Sequence, residues 1–257
     1  MTCCRYALVL LALGVTVKLA HSEQSGADPG VEAFLARAKP PVRWADFSKL
    51  ARDQQNRLLE SSAASIPAGQ ASAAARDASQ IREADWRLAA LRGALGRWSE
   101  ANPAAAAAFT AGSNLSNDHL SQLMSAQILA WSRSDPAAAA RFVAAGAGPW
   151  APGAMDALLR EWSSREPVAA ATWAAALKPC PDATSPDALR VVAMAGSARV
   201  VGARLCRDDA MRAAVFYWAR KNPAAAREWA ARQQPPALSQ ALEEMVAQAQ
   251  RLANNGR

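Results

Sequence analysis

A four-fold repeat of tryptophan, proline and a second aromatic residue constrains this chain more than any other feature. In each copy proline stands five residues after a tryptophan, and Phe or Trp stands six residues after the proline. Only 9 of the 257 residues are tryptophan, so this register indicates a repeat and not a coincidence. The copies are Trp98-Pro103-Phe109, Trp131-Pro136-Phe142, Trp162-Pro167-Trp173 and Trp218-Pro223-Trp229.

The residues around each copy predict two helices joined by a tight turn. Apolar residues stand seven and three positions before each tryptophan, which places one stripe on a face of the first helix. The residue before the proline is Asn or Asp in three copies and Glu166 in the other. Asn and Asp are good N-caps, and proline is tolerated at the first helical position. The first helix, helix A, therefore ends near the tryptophan, and helix B begins at the proline.

The alanine content supports the same fold class. Alanine accounts for 66 of the 257 residues, and it favours helix more than any other residue. Strand-forming residues are sparse, which excludes an all-β protein and argues against a parallel-sheet enzyme. One hairpin cannot bury its apolar stripe alone, so we predict an all-α fold of stacked antiparallel helix hairpins, a short α-solenoid. Helix B carries alanines seven and eight residues after each tryptophan, which lets two helices approach closely: Ala105 and Ala106, Ala138 and Ala139, Ala169 and Ala170, Ala225 and Ala226.

The repeat resembles the alanine-rich, Trp- and Pro-marked helical-hairpin repeats of exported bacterial proteins, and more distantly the tetratricopeptide class. The resemblance covers roughly residues 81 to 233. It implies protein or peptide binding and brings no catalytic residues. The Gly–Tyr pair of tetratricopeptide repeats is missing here, so the superhelix geometry of that family is not carried over. The alternative interpretation, a ligand-binding box made by the aromatic stripe, is less favoured, because Trp and Met at helical spacing usually form core.

The N-terminus has the three parts of a secretory signal peptide. One basic residue, Arg5, precedes the apolar run 6–17, and small residues then lead to a predicted cleavage after Ser22. A retained membrane anchor is the alternative, although the run is shorter than a spanning helix requires. We therefore expect export to the periplasm or the exterior, with contact to a membrane only through this segment if it is not cleaved.

Three parts of the chain follow from these patterns. Residues 1–22 form the signal, and 23–80 form a flexible segment with one helix and a linker. Residues 81–257 form the helical-repeat domain, which ends in a capping helix near 238–252. The long interval before the fourth copy leaves two alternatives for 178–207, a degenerate repeat or an insertion. We expect helix over 188–205.

Catalytic and metal-binding signatures are absent from the sequence. It contains no HExxH, CxxC, Walker-type or GxSxG motif, and His119 has no second histidine beside it after the signal. We therefore expect a chain without enzymatic activity, cofactor or metal. After Ser22 only Cys180 and Cys206 remain, and an exported chain favours a disulfide between them; two unpaired thiols are the alternative.

The net charge of +7 and the isoelectric point of about 9.7 do not indicate nucleic-acid binding. The basic residues are scattered, and no cluster with interleaved aromatics is present. We expect a non-enzymatic protein- or peptide-binding scaffold of the cell envelope. The alternative is an accessory to an enzyme that acts on the cell wall.

Overall fold

The computed structural model describes residues 27–146, 148–179, 190–194, 197–201 and 206–255, and for 190–194 and 197–201 it describes the backbone. The predicted signal peptide and Cys180 lie outside these residues. The helices are α1 Pro29–Leu35, α2 Trp44–Phe47, α3 Arg52–Ser62, α4 Ala71–Ser79, α5 Ala84–Ala101, α6 Pro103–Ala111, α7 Asn117–Ser134, α8 Pro136–Ala145, α9 Ala151–Arg165, α10 Pro167–Ala175, α11 Arg207–Ala219, α12 Pro223–Ala231 and α13 Pro236–Asn255. Short 3-10 turns span Ala63–Ser65 and Ala68–Gln70, and two strands are β1 Arg190–Met194 and β2 Ser197–Val201.

The chain divides into two compact units, residues 1–94 and 95–257, and the division falls within α5. In the first unit α1 packs against α4. The side chain of Asp28 accepts from the backbone N–H of Gly30 and of Arg82, at 2.9 and 3.0 Å, which fixes the start of α1 beside the start of α5. The core of this unit includes Phe34, Phe47, Leu59, Ile66 and Ile81.

The first unit corrects the expected flexible segment with a single helix. Residues 27–80 contain four α-helices and two 3-10 turns. The composition of 62–80, which is rich in Ser, Ala, Gly and Gln, leaves a linker or a weak helix as alternatives. Within it, however, Ala71, Ala74, Ala75 and Ala78 are all fully buried along one side of α4. Alanine at helical spacing provides a packing face that composition alone does not reveal.

The second unit is a stack of helix pairs, which confirms the predicted all-α class and the stacked hairpins. The A helices α7, α9 and α11 form a row in which each packs against the next, and the C-terminal helix α13 packs against α11 at the end of this row. Each of the B helices α8, α10 and α12 packs against its own A helix and against the next one along the chain. Every B helix begins at the predicted proline.

Charged side chains link neighbouring A helices at their C-terminal ends. Nη1 of Arg165 donates to the carbonyl of Arg133 at 2.6 Å, and Nζ of Lys221 donates to the carbonyl of Ser164 at 2.8 Å. Each donor stands three residues after a repeat tryptophan, and each acceptor stands two residues after the preceding one. A cation at a helix C-terminus satisfies a carbonyl that lacks an intrahelical partner. The contact therefore recurs with the repeat.

The segment between α10 and α11 is an insertion, which resolves the alternative left open for 178–207. Because α10 packs against α11 as α8 packs against α9, no helix pair is missing between them. In the described part of this segment β1 and β2 pair antiparallel, with Arg190 opposite Val201 and Met194 opposite Ser197. The expected helix over 188–205 is therefore wrong for 190–194 and 197–201, the part of that stretch which the structure describes. Valine occupies 191, 192, 200 and 201, and β-branched residues favour strand over helix.

Candidate functional site

Each repeat tryptophan contacts the closing aromatic residue of its own copy. The four ring-centroid distances are 5.6 Å for Trp98–Phe109, 5.7 Å for Trp131–Phe142, 5.8 Å for Trp162–Trp173 and 6.2 Å for Trp218–Trp229. The interplanar angles lie between 46° and 58° in all four pairs. The same tilted contact therefore joins helix A to helix B in every copy.

A single residue separates the two helices in the first three copies, and residues 220–222 separate them in the fourth. The residue before the proline nevertheless makes the same backbone hydrogen bonds in every copy. Its N–H donates to the tryptophan carbonyl at 2.8–2.9 Å, and its own carbonyl accepts from the fourth residue beyond at 3.1 Å. Asn102, Asp135 and Asn222 also cap helix B, accepting from a backbone N–H at 2.9–3.1 Å. Glu166 makes no such cap and instead accepts from the indole of Trp162 at 3.4 Å.

The tryptophan that opens each copy is a core residue in three of the four copies. Trp131, Trp162 and Trp218 are only 5–7% exposed, and the apolar stripe that precedes each of them is buried. Trp98 is half-buried, because α5 has no preceding B helix of the Trp–Pro repeat to cover it. The alanine seam, meaning the pair of helix B alanines that lets two helices approach closely, also lies one residue later in the sequence than expected. Alanines at 106–107, 139–140 and 170–171 are fully buried, whereas Ala105, Ala138 and Ala169 are not.

Sequence reasoning missed Trp150, which closes the short connection between α8 and α9. Its ring stacks on Phe142 with centroids 5.8 Å apart, and it is 4% exposed. A Cβ atom on Gly146 would lie 2.2 Å from Cη2 of Trp150, so only glycine leaves room for this ring. Gly148 adopts a φ of +136°, which disfavours other residues. The pattern Gly-x-Gly-Pro-Trp is the sequence signal that marks this packing.

The outer side of α6, α8 and α10, here called the B-helix face, is apolar and exposed. Helices α6 and α10 contain no charged residue, although each turns one side to solvent. Val168 is 55% exposed, and the closing aromatics Phe109, Phe142 and Trp173 are half-buried. A surface helix normally carries polar residues on its outer side. The exposed members of this face are Ala104, Ala108, Ala137, Arg141, Ala144, Val168, Ala169 and Thr172.

The opposite side of the A helices is more polar and is partly covered by the chain itself. The backbone of β2 lies against α9 and α11, and that of β1 lies against α11. The hydroxyl of Tyr217 donates to Oδ1 of Asp156 at 2.5 Å, joining α11 to α9. Burial raises the pKa of Asp156, while the Tyr217 hydrogen bond and nearby Arg160 oppose that rise. Residues 213–219 of α11 are all buried. Phe216 stands two residues before its tryptophan, and the residue at the same position of α9 is Arg160, which is exposed.

A second polar cluster lies at the start of α11. Asp209 is 2% exposed, with Oδ2 lying 3.3 Å from the sulfur of Cys206 and Oδ1 lying 3.3 Å from Nη1 of Arg212. Burial raises the pKa of Asp209 to about 6, although the positive charge of Arg212 lowers it. Cys206 is buried and disulfide-bonded. Cys180 lies outside the described residues, so the predicted Cys180–Cys206 pairing stays a prediction.

The backbone beside these cysteines supports that pairing. The N–H of Arg207 donates to the carbonyl of Lys178 at 2.8 Å. The residue after Cys206 therefore lies against the residue two before Cys180, and the insertion leaves and re-enters the stack at one place.

Other candidate chemistry is limited within the described part of the chain. No group of three or more His, Cys, Asp or Glu side chains that could hold a metal ion occurs there. His119 is partly exposed in the first turn of α7, where its N–H donates to Oγ of Ser116 at 3.4 Å. Of the described helices, none combines the length and apolar character that crossing a bilayer requires.

Comparison with protein-family models, with curated proteins and with solved structures gave no match.

Proposed function

We propose that this protein is a non-enzymatic scaffold of the cell envelope that binds another protein or peptide on its B-helix face. The exposed, charge-poor side of α6, α8 and α10 is the observation that carries the proposal. Arg141 is the sole charged residue among the exposed members of this face. Removing such a surface from water is favourable, and covering it desolvates only one cation.

The chemistry of the face specifies the kind of partner. Small side chains allow a partner backbone to approach closely, and the half-buried aromatic rings supply larger contact area of the kind enriched at interfaces. A matching partner presents a charge-poor apolar segment with one acidic group placed to meet Arg141. The predicted export signal supports a location in the periplasm or outside the cell.

Site-specific photo-crosslinking in the native envelope tests this assignment. A photoreactive residue replaces Ala137 or Ala169 on the B-helix face, and Ala126 or Ala130 of α7 serves as the matched control. All four positions are exposed alanines on helices of the same stack. We expect one discrete adduct from Ala137 and Ala169, lost when Val168→Glu is added, and none from the controls. Adducts from the controls alone, or none at any position, would contradict the proposal.

The identity of the crosslinked partner separates the two functional alternatives. An accessory to a cell-wall enzyme predicts that the adduct contains a peptidoglycan-acting enzyme. In that case the purified protein should raise or lower the rate at which that enzyme releases soluble wall fragments. The Val168→Glu variant should lose this effect while its thermal unfolding is unchanged, because Val168 contributes little to the core.

A further inference from the structure

Helix α12 continues the row of B helices, and the residue ten positions after the repeat tryptophan is exposed in all four copies. These residues are Ala108, Arg141, Thr172 and Glu228. Each of α8, α10 and α12 packs against its own A helix and against the helix that follows, so this position points to the same side in all three. From α8 to α12 the row therefore runs from a cation through a neutral hydroxyl to an anion.

Glu228 is able to accept a further cation. Its side chain is 68% exposed and pairs with Arg232, one helical turn further on. An exposed pair of this kind contributes little to stability, and a carboxylate accepts several hydrogen bonds. Arg227, the other charged residue of α12, donates to Oε1 of Gln250 at 2.9 Å, which holds it toward α13. Glu228 can therefore join a contact with another molecule without the loss of a strong contact within the chain.

We propose that a second copy of this chain occupies the B-helix face, with the two stacks running in opposite directions about a two-fold axis along α10. The inference rests on the proposed function, because it takes the same face as the docking surface. This axis sets α8 of each copy against α12 of the other, so Arg141 meets Glu228 of the second copy. Two-fold symmetry forms the contact twice.

The charges distinguish this arrangement from the other face-to-face arrangement with two-fold symmetry. An axis running across the helices would set each B helix against its own counterpart. Arg141 is the sole charged residue of α8, so no acidic residue of that helix would then face it. The row of charges is complementary to itself only when the two stacks run in opposite directions.

The centre of the proposed contact is small and uncharged. Val168 and Thr172 stand one turn apart on α10, so both lie near the axis and each meets its own counterpart. The contact removes Val168, which is 55% exposed, from water. A face covered in this way is closed to any other occupant. Self-association therefore shields the apolar surface until the docking partner displaces the second copy.

Sedimentation equilibrium of residues 23–257 at increasing concentration tests the proposal with two charge reversals. Arg141→Glu sets two acidic groups against each other in both contacts, and Glu228→Arg sets two cations against each other. Arg76→Glu is the matched control, because it reverses an exposed arginine on α4 of the first unit, away from the B-helix face. Thermal unfolding of every variant confirms that it is folded.

We expect a dimer for the wild type and for the control. Each single reversal should weaken dimerisation by about tenfold, because it turns two attractive contacts into repulsive ones. The chain that carries both reversals should dimerise as the wild type does, because Glu at 141 then meets Arg at 228. A mixture of the two single variants should form a mixed dimer for the same reason.

A monomer at every concentration, single variants that dimerise as the wild type does, or a double variant as weak as the single ones would overturn this inference. Photo-crosslinking at Ala137 in the native envelope tests the proposed function separately. An adduct with another protein from a chain that never dimerises would contradict the inference alone. A dimer that follows the charge reversals, without an adduct to another protein, would contradict the proposed function alone.

Discussion

Two connections of very different length lead to the same packing of a B helix against the next A helix. We call the connection from α8 to α9 the short step and the connection from α10 to α11 the long step. The short step uses five residues, 146–150, and Trp150 fills it by stacking on Phe142. The long step spans 176–206, yet its ends meet at the 2.8 Å hydrogen bond between Arg207 and Lys178. Both bring a B helix against the next A helix. The helix faces therefore specify the stack, and the connection between them is free to vary.

Removal of a repeat tryptophan should have the largest effect. Trp162 lies on α9, between the short and the long step, and is only 6% exposed. Its truncation to Ala should lower the free energy of unfolding by about 3–5 kcal/mol. Trp98→Ala should cost clearly less, because Trp98 is only half-buried. Urea unfolding followed by far-UV circular dichroism measures both variants. Equal costs would show that burial between repeats is not the source of the effect.

Asp209, which lies at the start of α11 beside the long step, should make the stability of the wild type depend on pH more than that of Asp209→Asn. Its pKa is raised from 3.8 to about 6 in the folded protein, so protonation favours folding. The resulting stabilisation is fully present below about pH 4 and is lost as the pH rises through 6. From pH 4 to 7.5 the wild type should lose up to about 3 kcal/mol relative to Asp209→Asn. Urea unfolding across this range measures the difference, and parallel profiles for the two proteins would contradict it.

Replacing a buried alanine of helix B by a larger residue compares the tightness of helix packing at the two steps directly. Ala140 and Ala171 are both fully buried and stand nine residues after their tryptophans. Leu at either position should cost about 1–3 kcal/mol, and the two costs should agree if the steps pack alike. Thermal unfolding of Ala140→Leu and Ala171→Leu provides the measurement. A cost confined to Ala140→Leu would mean that α10 and α11 pack loosely.

The smallest expected effect is a gain at the one turn that lacks a cap. Glu166→Asn should stabilise the fold by up to about 1 kcal/mol, because Asn caps helix B at the corresponding positions 102 and 222. The reverse change, Asn222→Glu, is the matched control and should lose a similar amount. Melting temperatures that move in the same direction for both variants would refute the capping argument.

Much of the repeat could be predicted from sequence because its signals are local. The proline fixes the start of helix B, the preceding Asn or Asp caps it, and the spacing of apolar residues identifies the buried stripe. Predicting the position of the alanine seam requires knowing how the helices cross, and the spacing of residues in the sequence does not give that. Trp150 was missed because its role depends on Gly146 and on Phe142 of the neighbouring helix.

The insertion and the B-helix face could not be derived in the same way. The valines of β1 and β2 lie in an apolar stretch whose short runs suit either strand or buried helix. Nothing local indicates that β2 packs on α9, which is distant in sequence. The exposed side of α6 and α10 has nearly the same composition as their buried side, so only the fold distinguishes the two sides.

Excision of the insertion tests most directly the claim that helix faces specify the stack. A short Gly-Asn-Gly link replaces 180–205, since Lys178 and Arg207 close to its two ends already share a hydrogen bond. Phe216→Arg accompanies it, because α9 carries Arg160 at the corresponding position and the strands no longer lie against α11. We predict a protein that unfolds in one cooperative urea transition with the helical circular dichroism of α5–α13 retained. Loss of that transition, or helix content reduced by the share of α11–α13, would contradict the account.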